Sequence, residues 1–239
     1  MKRFIFLADL HGNMPATLAM EEEIKRLQPD EIWFLGDAVG KGPESDKTCD
    51  WVRSHCHHFV GGNWDYGLSR SRIEKIFSTD VFYWDQIGKE RFDWLDSLPQ
   101  EDSVLISGIH FRLIHGRPVD QLYAGYDSDE KFSAGLVSKD GSRTYGGLIC
   151  ADSHRPFVRS MGAGYVMNTG SVGNSIGVTR AHALMLEGEP GSETPAPLHV
   201  TVLSVPYDNK KAAAIAARYP QLPNMKAYQN EVLTGVYSR

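Results

Sequence analysis

The run Phe4-Ile5-Phe6-Leu7-Ala8-Asp9-Leu10-His11-Gly12-Asn13 sets the architecture of this chain. Four apolar residues in succession, ended by a polar turn, read as a strand buried on both faces. The first side chains able to do chemistry, Asp9 and His11, come just past its end. Two positions apart on an extended segment, they lie on the same face and can clamp one ion from one direction. Gly12 then lets the chain turn sharply away.

The same arrangement recurs along the sequence. Ile32-Trp33-Phe34-Leu35 leads into Gly36-Asp37, and Gly62-Asn63-Trp64-Asp65, Ile114-His115-Gly116 and Asp152-Ser153-His154 follow. All but one of these clusters directly follow a short apolar run. In open α/β sheets, ligands bind beyond the carboxyl ends of the strands, so clusters far apart in sequence can converge there. Asp9, His11, Asp37, Asn63, His115, Asp152 and His154 together supply enough donors for two metal ions. Asp37, between Gly36 and the flexible Gly40-Lys41-Gly42-Pro43 loop, is a bare carboxylate placed to bridge two cations. Nitrogen and oxygen ligands without thiolate suit Mn²⁺, Fe, Zn²⁺ or Ni²⁺. A metal-dependent hydrolase is the reading that results.

The first third of the chain alternates strand and helix. Residues 2 to 8, 31 to 35 and 58 to 60 read as strands, and 15 to 27 and 45 to 54 as helices, an order that implies parallel pairing. Residues 67 to 99 read as a helical excursion rich in aromatics, with apolar residues at helical spacing: Ile73, Ile76, Phe77, Trp84, Ile87, Phe92, Trp94 and Leu95. Most of these belong in a core, although the segment could also wall a pocket. A hairpin about Gly108 comes next, then a polar stretch to Tyr145. Strands are expected near 146–150, 157–158, 165–167, 178–186 and 198–205, and a helical tail near 209–218 and 224–233. The expected fold is α/β: two sheets packed face to face with helices outside, in one domain spanning 1–239.

Composition narrows the setting. With 239 residues, 41% of them hydrophobic, the chain can bury one sizeable core, and no linker divides it. A net charge of -5 disfavours long nucleic acid as a partner. Three cysteines at unpatterned spacing fit free thiols in a reducing cytoplasm. No apolar run is long enough to span a membrane, and a cytoplasmic, unprocessed product is expected. The oligomeric state has no sequence signal.

Asp-x-His, Gly-Asp-x-x-Gly, Gly-Asn-x-Asp, His-Gly and a final His occur in this order, and the chain thereby resembles the calcineurin-like metallophosphoesterase superfamily. Asn168-Thr169-Gly170-Ser171-Val172-Gly173, the Gly40 to Pro43 loop and the Trp84 to Pro99 stretch are similar to segments of its small bacterial phosphodiesterase and phosphatase members. The resemblance implies a four-layer α/β/β/α sandwich and two divalent cations. Asp9, His11 and His154 would hold one, Asp37 would bridge, and Asn63 with His115 would hold the other. It further implies hydrolysis of phosphate esters or phosphoanhydrides, dinucleoside polyphosphates among them, by a hydroxide between the metals. The partner would be a small phosphorylated substrate. A degenerate member that keeps the fold as a metal-binding scaffold is the alternative reading.

Two positions depart from the family pattern. Asp152 stands where a Gly-His-x-His motif has its first histidine; as a ligand it would shift preference toward harder ions such as Mn²⁺ or Mg²⁺. Trp64 fills the slot that often holds the leaving-group acid, and indole cannot transfer that proton. Lys41, Trp64 and Ser171 are the candidate substrate contacts, and Asp37 and Asn63 the candidate catalytic pair. His55-Cys56-His57-His58 straddles a helix end and a strand start, a poor second metal site.

Overall fold

The computed structural model describes residues 1–75 and 80–239; the helical reading at Ile76 and Phe77 falls outside them. In chain order the elements are β1 (Lys2–Leu7), α1 (Met14–Leu27), β2 (Glu31–Leu35), α2 (Ser45–His55) and β3 (His58–Val60), then α3 (Asn63–Glu74) and α4 (Val81–Asp96). The hairpin β4 (Glu101–Ile106) and β5 (Ile109–Ile114) is followed by α5 (Asp129–Gly135), β6 (Gly147–Cys150), β7 (Phe157–Met161) and β8 (Gly164–Asn168). β9 (Ala181–Gly188), β10 (His199–Val205), α6 (Asn209–Ala216) and α7 (Met225–Thr234) complete it.

Two mixed five-stranded sheets result, ordered β10-β9-β1-β2-β3 and β4-β5-β6-β8-β7. β1, β2 and β3 are parallel, with Ile5 opposite Ile32 and Phe34 opposite Phe59, as the alternation of strand and helix predicts. The sheets do not divide by sequence, however. β9 returns from the second β-rich section to pair antiparallel with β1, Ile5 opposite Met185, and it carries β10 with it.

The apolar runs are continuous because both faces of these strands are covered. Along β1 and just beyond it, Phe4, Phe6 and Ala8 enter the core between the sheets, where they meet Phe111, Leu113, Ile149 and Met167. Ile5 and Leu7 point the other way, into the core formed with the helices on the outer side, which includes Met20, Val52, Phe92 and Tyr228. Tyr83, Ile87, Phe92 and Leu95 of the helical excursion belong to that second core. Phe132 and Leu136 cover the outer face of the other sheet over Leu148 and Val166. Parallel β1, β2 and β3 finish at one edge of the first sheet, and parallel β5 and β6 finish at one edge of the second. The loops that leave these ends build the site.

Candidate metal centre

Strand-end loops place the donors by bending hard. Asp9, His11, Asp37, Lys41, Asp152 and His154 all have positive φ, between 46° and 65°, a conformation uncommon for residues with a Cβ. Six of the ten non-glycine residues with positive φ among the described residues therefore lie in this one region, where strained backbone is usually kept for function. Backbone bonds lock the loops together: Asp9 N–H donates to Gly36 O at 2.9 Å, His11 N–H to Asp37 O at 3.2 Å and Ala151 N–H to His115 O at 2.8 Å. At Gly62 the strand edge runs so close that a Cβ would come within 2.2 Å of Asp37 Oδ1.

Three imidazoles point at two carboxylates. His11 Nδ1 donates to Val39 O at 3.0 Å, His115 Nδ1 to Leu35 O at 2.6 Å and His154 Nδ1 to Asn174 O at 2.5 Å. Each Nε2 is thereby aimed inward, the outer-sphere arrangement that orients metal-binding histidines. His11 Nε2 and His154 Nε2 face each other at 3.3 Å, and Asn63 Oδ1 lies 3.1 Å from His115 Nε2. Asp37 Oδ2 is 3.4 Å from both His11 Nε2 and His115 Nε2. Both oxygens of Asp9 are buried without a hydrogen-bond partner. Its nearest imidazole nitrogens, His154 Nε2 at 3.3 Å and His11 Nε2 at 3.5 Å, are ionic neighbours only. Donor atoms of Asp9, His11 and His154 form one group within 4.8 Å, and those of Asp9, Asp37 and His115 form another. An orphaned carboxylate facing inward-aimed imidazoles fits divalent cations of the N/O-binding kind.

The charges respond to that crowding. Burial pushes the Asp9 carboxyl up, but the His154 imidazole and its neighbours outweigh it and hold it well below the usual carboxylate range. Burial also lowers His115, yet the Asp37 carboxylate overrides it and raises the imidazole to about 10. His11 goes the opposite way, to about 4, through burial and then the ammonium of Lys41. Cations would replace the proton on His115, because both satisfy the same carboxylates.

A cleft of about 570 Å³ opens over these groups, lined by Asp37, Asn63 and His154 with Lys41, Trp64, Arg117, Tyr126, Arg155, Tyr237 and Arg239 among others. Lys41 is buried, with Nζ 3.1 Å from His154 Nε2 and 3.4 Å from Asn174 Oδ1, and burial lowers its ammonium to about 8. Trp64 lies over Gly40, where a Cβ would come within 2.2 Å of the ring, and meets His11 edge-on at 5.8 Å. Its backbone N–H donates to Asp37 Oδ1 at 2.8 Å. Asp65 turns away from the cleft: its carboxylate is fully buried and accepts from the N–H groups of Asp37, Ala38 and Gly62.

Ser171 and Asp152 stand differently from the expectation. The Ser171 hydroxyl is buried behind the site, donating to Asp9 O at 2.8 Å and accepting from Asn174 N–H, so it braces the Asp9 loop and has no opening to a substrate. Asp152 lines the cleft, but its donor atoms are in neither group, and Arg117 engages both of its oxygens. No residue of α4 lines the cleft; the wall comes from the segment after His115 and from the C-terminal residues. His55, His57 and His58 diverge, His55 stacking on Trp51, His57 accepting from Ile32 N–H and His58 stacking on Trp33. Cys49, Cys56 and Cys150 are buried free thiols, and among the described residues no helix is long and apolar enough to cross a membrane. Arg117, Arg155, Tyr126, Tyr237 and Arg239 carry no motif; of these only Arg117, two residues past His115, had a positional signal.

Comparison with known proteins gives a family and a fold. The family model of the calcineurin-like phosphoesterases matches residues 2–175. The uncharacterized protein MJ0912 of Methanocaldococcus jannaschii is 27% identical over 233 residues, 86% of this chain and 88% of that protein. Two solved structures share the fold across nearly the full length. A metallophosphoesterase from Sphaerobacter thermophilus has a TM-score of 0.72 at 21% identity, covering 98% of this chain and 99% of its own. The hypothetical protein PH1004 from Pyrococcus horikoshii OT3 has a TM-score of 0.78 at 20% identity, covering 100% of both chains.

Proposed function

Because the chain belongs to the calcineurin-like phosphoesterase family, we propose that it is a phosphoesterase working with two divalent cations, Mn²⁺ foremost, on a small phosphorylated substrate. The observation that carries this reading is the set of three histidines, each fixed through Nδ1 to a backbone carbonyl, around an Asp9 carboxylate with no hydrogen-bond partner. Asp9, His11 and His154 would hold one cation and Asn63 and His115 the other, with Asp37 between them. Bound there, the cations would polarise phosphoryl oxygens and bring the pKa of water toward about 7.

The chain's own residues do the rest. Asp37 is held rigid by the Trp64 N–H, and Asn63 starts α3 so that its amide faces His115. Lys41 offers positive charge to a phosphate from the cleft floor, and Trp64 and Tyr126 offer flat faces to a base or aryl group. No acid stands in the Trp64 position, and Asp65 is turned into the loop backbone, which favours leaving groups that depart without a proton. Aryl phosphates and phosphoanhydrides fit that requirement.

Metal analysis of the purified protein, with turnover of p-nitrophenyl phosphate, its bis ester and a dinucleoside polyphosphate in Mn²⁺, tests the reading. Two Mn²⁺ per chain and metal-dependent hydrolysis are expected. A protein that binds the metal yet hydrolyses none of these would be a scaffold.

A further inference from the structure

Asp152 and Arg117 form a fork. Arg117 Nε donates to Asp152 Oδ2 at 2.8 Å, its Nη2 to Oδ1 at 2.8 Å, and its backbone N–H to Oδ2 at 3.1 Å. The carboxylate is buried while the guanidinium side chain is 53% exposed and lines the cleft. Local backbone is shaped for this contact from both sides. Asp152 has φ 65°, and Gly116, at φ 141°, passes so close that a Cβ would sit 3.0 Å from Asp152 Oδ2. Three charge-assisted bonds occupy most of the lone pairs that a carboxylate offers. A bidentate fork also cancels its charge, which removes the main reason for a cation to approach it.

We propose that Asp152 anchors Arg117 in place of ligating a cation, and that Arg117, held by one edge, is a phosphate-binding residue of the cleft. Arg117 Nη1 makes no hydrogen bond to the described residues and is the group left for a phosphoryl oxygen. The cation on the Asn63 and His115 side is then held without a fourth donor from Asp152, and the guanidinium supplies positive charge that a more tightly held cation would otherwise supply. This inference rests on the two-cation reading above and concerns only the second of the two sites.

Stepwise calorimetric titration of metal-free protein with Mn²⁺ separates the possibilities without any turnover. Expected in the wild type is a tight site and a weaker one. Arg117→Ala releases the Asp152 carboxylate and should tighten the weaker site about 10-fold, whereas Asp152→Ala should move it by less than about threefold. The double variant should return to the wild-type value. Asp152→Asn, close in shape, repeats the measurement should the alanine variant fail to fold. On the Mn²⁺-loaded protein, Arg117→Ala should weaken binding of inorganic phosphate by about 10-fold or more. A second site weakened 10-fold by Asp152→Asn, one unaffected by Arg117→Ala, or unchanged phosphate affinity would each overturn the proposal. Absence of even the first Mn²⁺ site in the wild type would instead count against the two-cation reading.

Discussion

Asp37 reaches two of the three inward-aimed imidazoles through a single carboxylate oxygen. Oδ1 accepts from Trp64 N–H, Oδ2 stands 3.4 Å from both His11 Nε2 and His115 Nε2, and the Cβ-free Gly62 presses against it. Asp37→Asn keeps the shape and the bond from Trp64 but loses the charge that two cations would share. Turnover in saturating Mn²⁺ should fall by at least about 100-fold, since even outer-sphere partners of a metal are worth 10–100-fold, while the circular dichroism spectrum stays unchanged. Activity within threefold of wild type would remove Asp37 from the mechanism. Trp64 gives a second test at this scale. General-acid assistance is worth roughly 10²–10⁴-fold for a poor leaving group, and indole cannot provide it. Rates across a series of aryl and alkyl phosphates should fall steeply as the leaving-group pKa rises. A shallow slope would point to another acid, with Lys41, lowered to about 8 by burial, the first to test.

At the scale of elements, the start of α3 depends on a residue with no part in the chemistry. Asp65, in the first turn of α3, accepts from the backbone N–H groups of Gly62, Asp37 and Ala38, so one carboxylate ties the helix start to the loop that carries Asp37. Asp65→Ala would strand three buried donors and should cost about 2–4 kcal/mol, read as a lower urea midpoint with Mn²⁺ dependence also weakened. Loss of under about 0.5 kcal/mol would mean that water or a shifted loop replaces the carboxylate. Asp65 also marks where sequence reading stops. It is visible there as part of Gly-Asn-x-Asp, but two of its partners lie 27 and 28 positions away. The strands β1 and β2 were legible because double burial makes Phe4 to Leu7 and Ile32 to Leu35 unbroken apolar runs, and the residues after them were legible because strand ends position ligands. That β9 and β10 would leave the second β-rich section for the first sheet was not. Nothing in Ala181 to Gly188, buried along almost its whole length, says that its neighbour is Lys2 to Phe6. The Arg117 fork to Asp152 is likewise a long-range pairing.

Across the whole molecule, the metal-free protein balances buried ionisable groups whose contributions run in opposite directions with pH. Asp65 is raised to about 7 by burial and then by the Asp37 carboxylate, so its native form holds a proton that the unfolded chain has lost; its share of stability fades as pH rises from about 4 to 7. His182 does the reverse, and it lies outside the cleft. It stands at the start of β9, with Nδ1 2.9 Å from Ser175 Oγ and Nε2 3.3 Å from Ser204 Oγ, and its backbone N–H donates to Ser171 O, joining β10 to the segment that braces Asp9. Burial, followed by the charge of Arg180, lowers the imidazole from 6.5 to about 4. Between those values the unfolded chain takes up a proton that the native state refuses. Stability from this residue is therefore complete above about 6.5 and lost as pH falls toward about 4, to a limit of about 3 kcal/mol. His182→Gln keeps a group able to bond both serines and removes the titration. Urea unfolding of the two proteins in EDTA at pH 5 and pH 7.5 should show the wild type losing more stability on acidification than His182→Gln, by about 1–2 kcal/mol. If both proteins lose the same amount, His182 is protonated in the native state and the acid sensitivity of the fold arises from carboxylates held below their usual range, Asp9 and Asp37 among them.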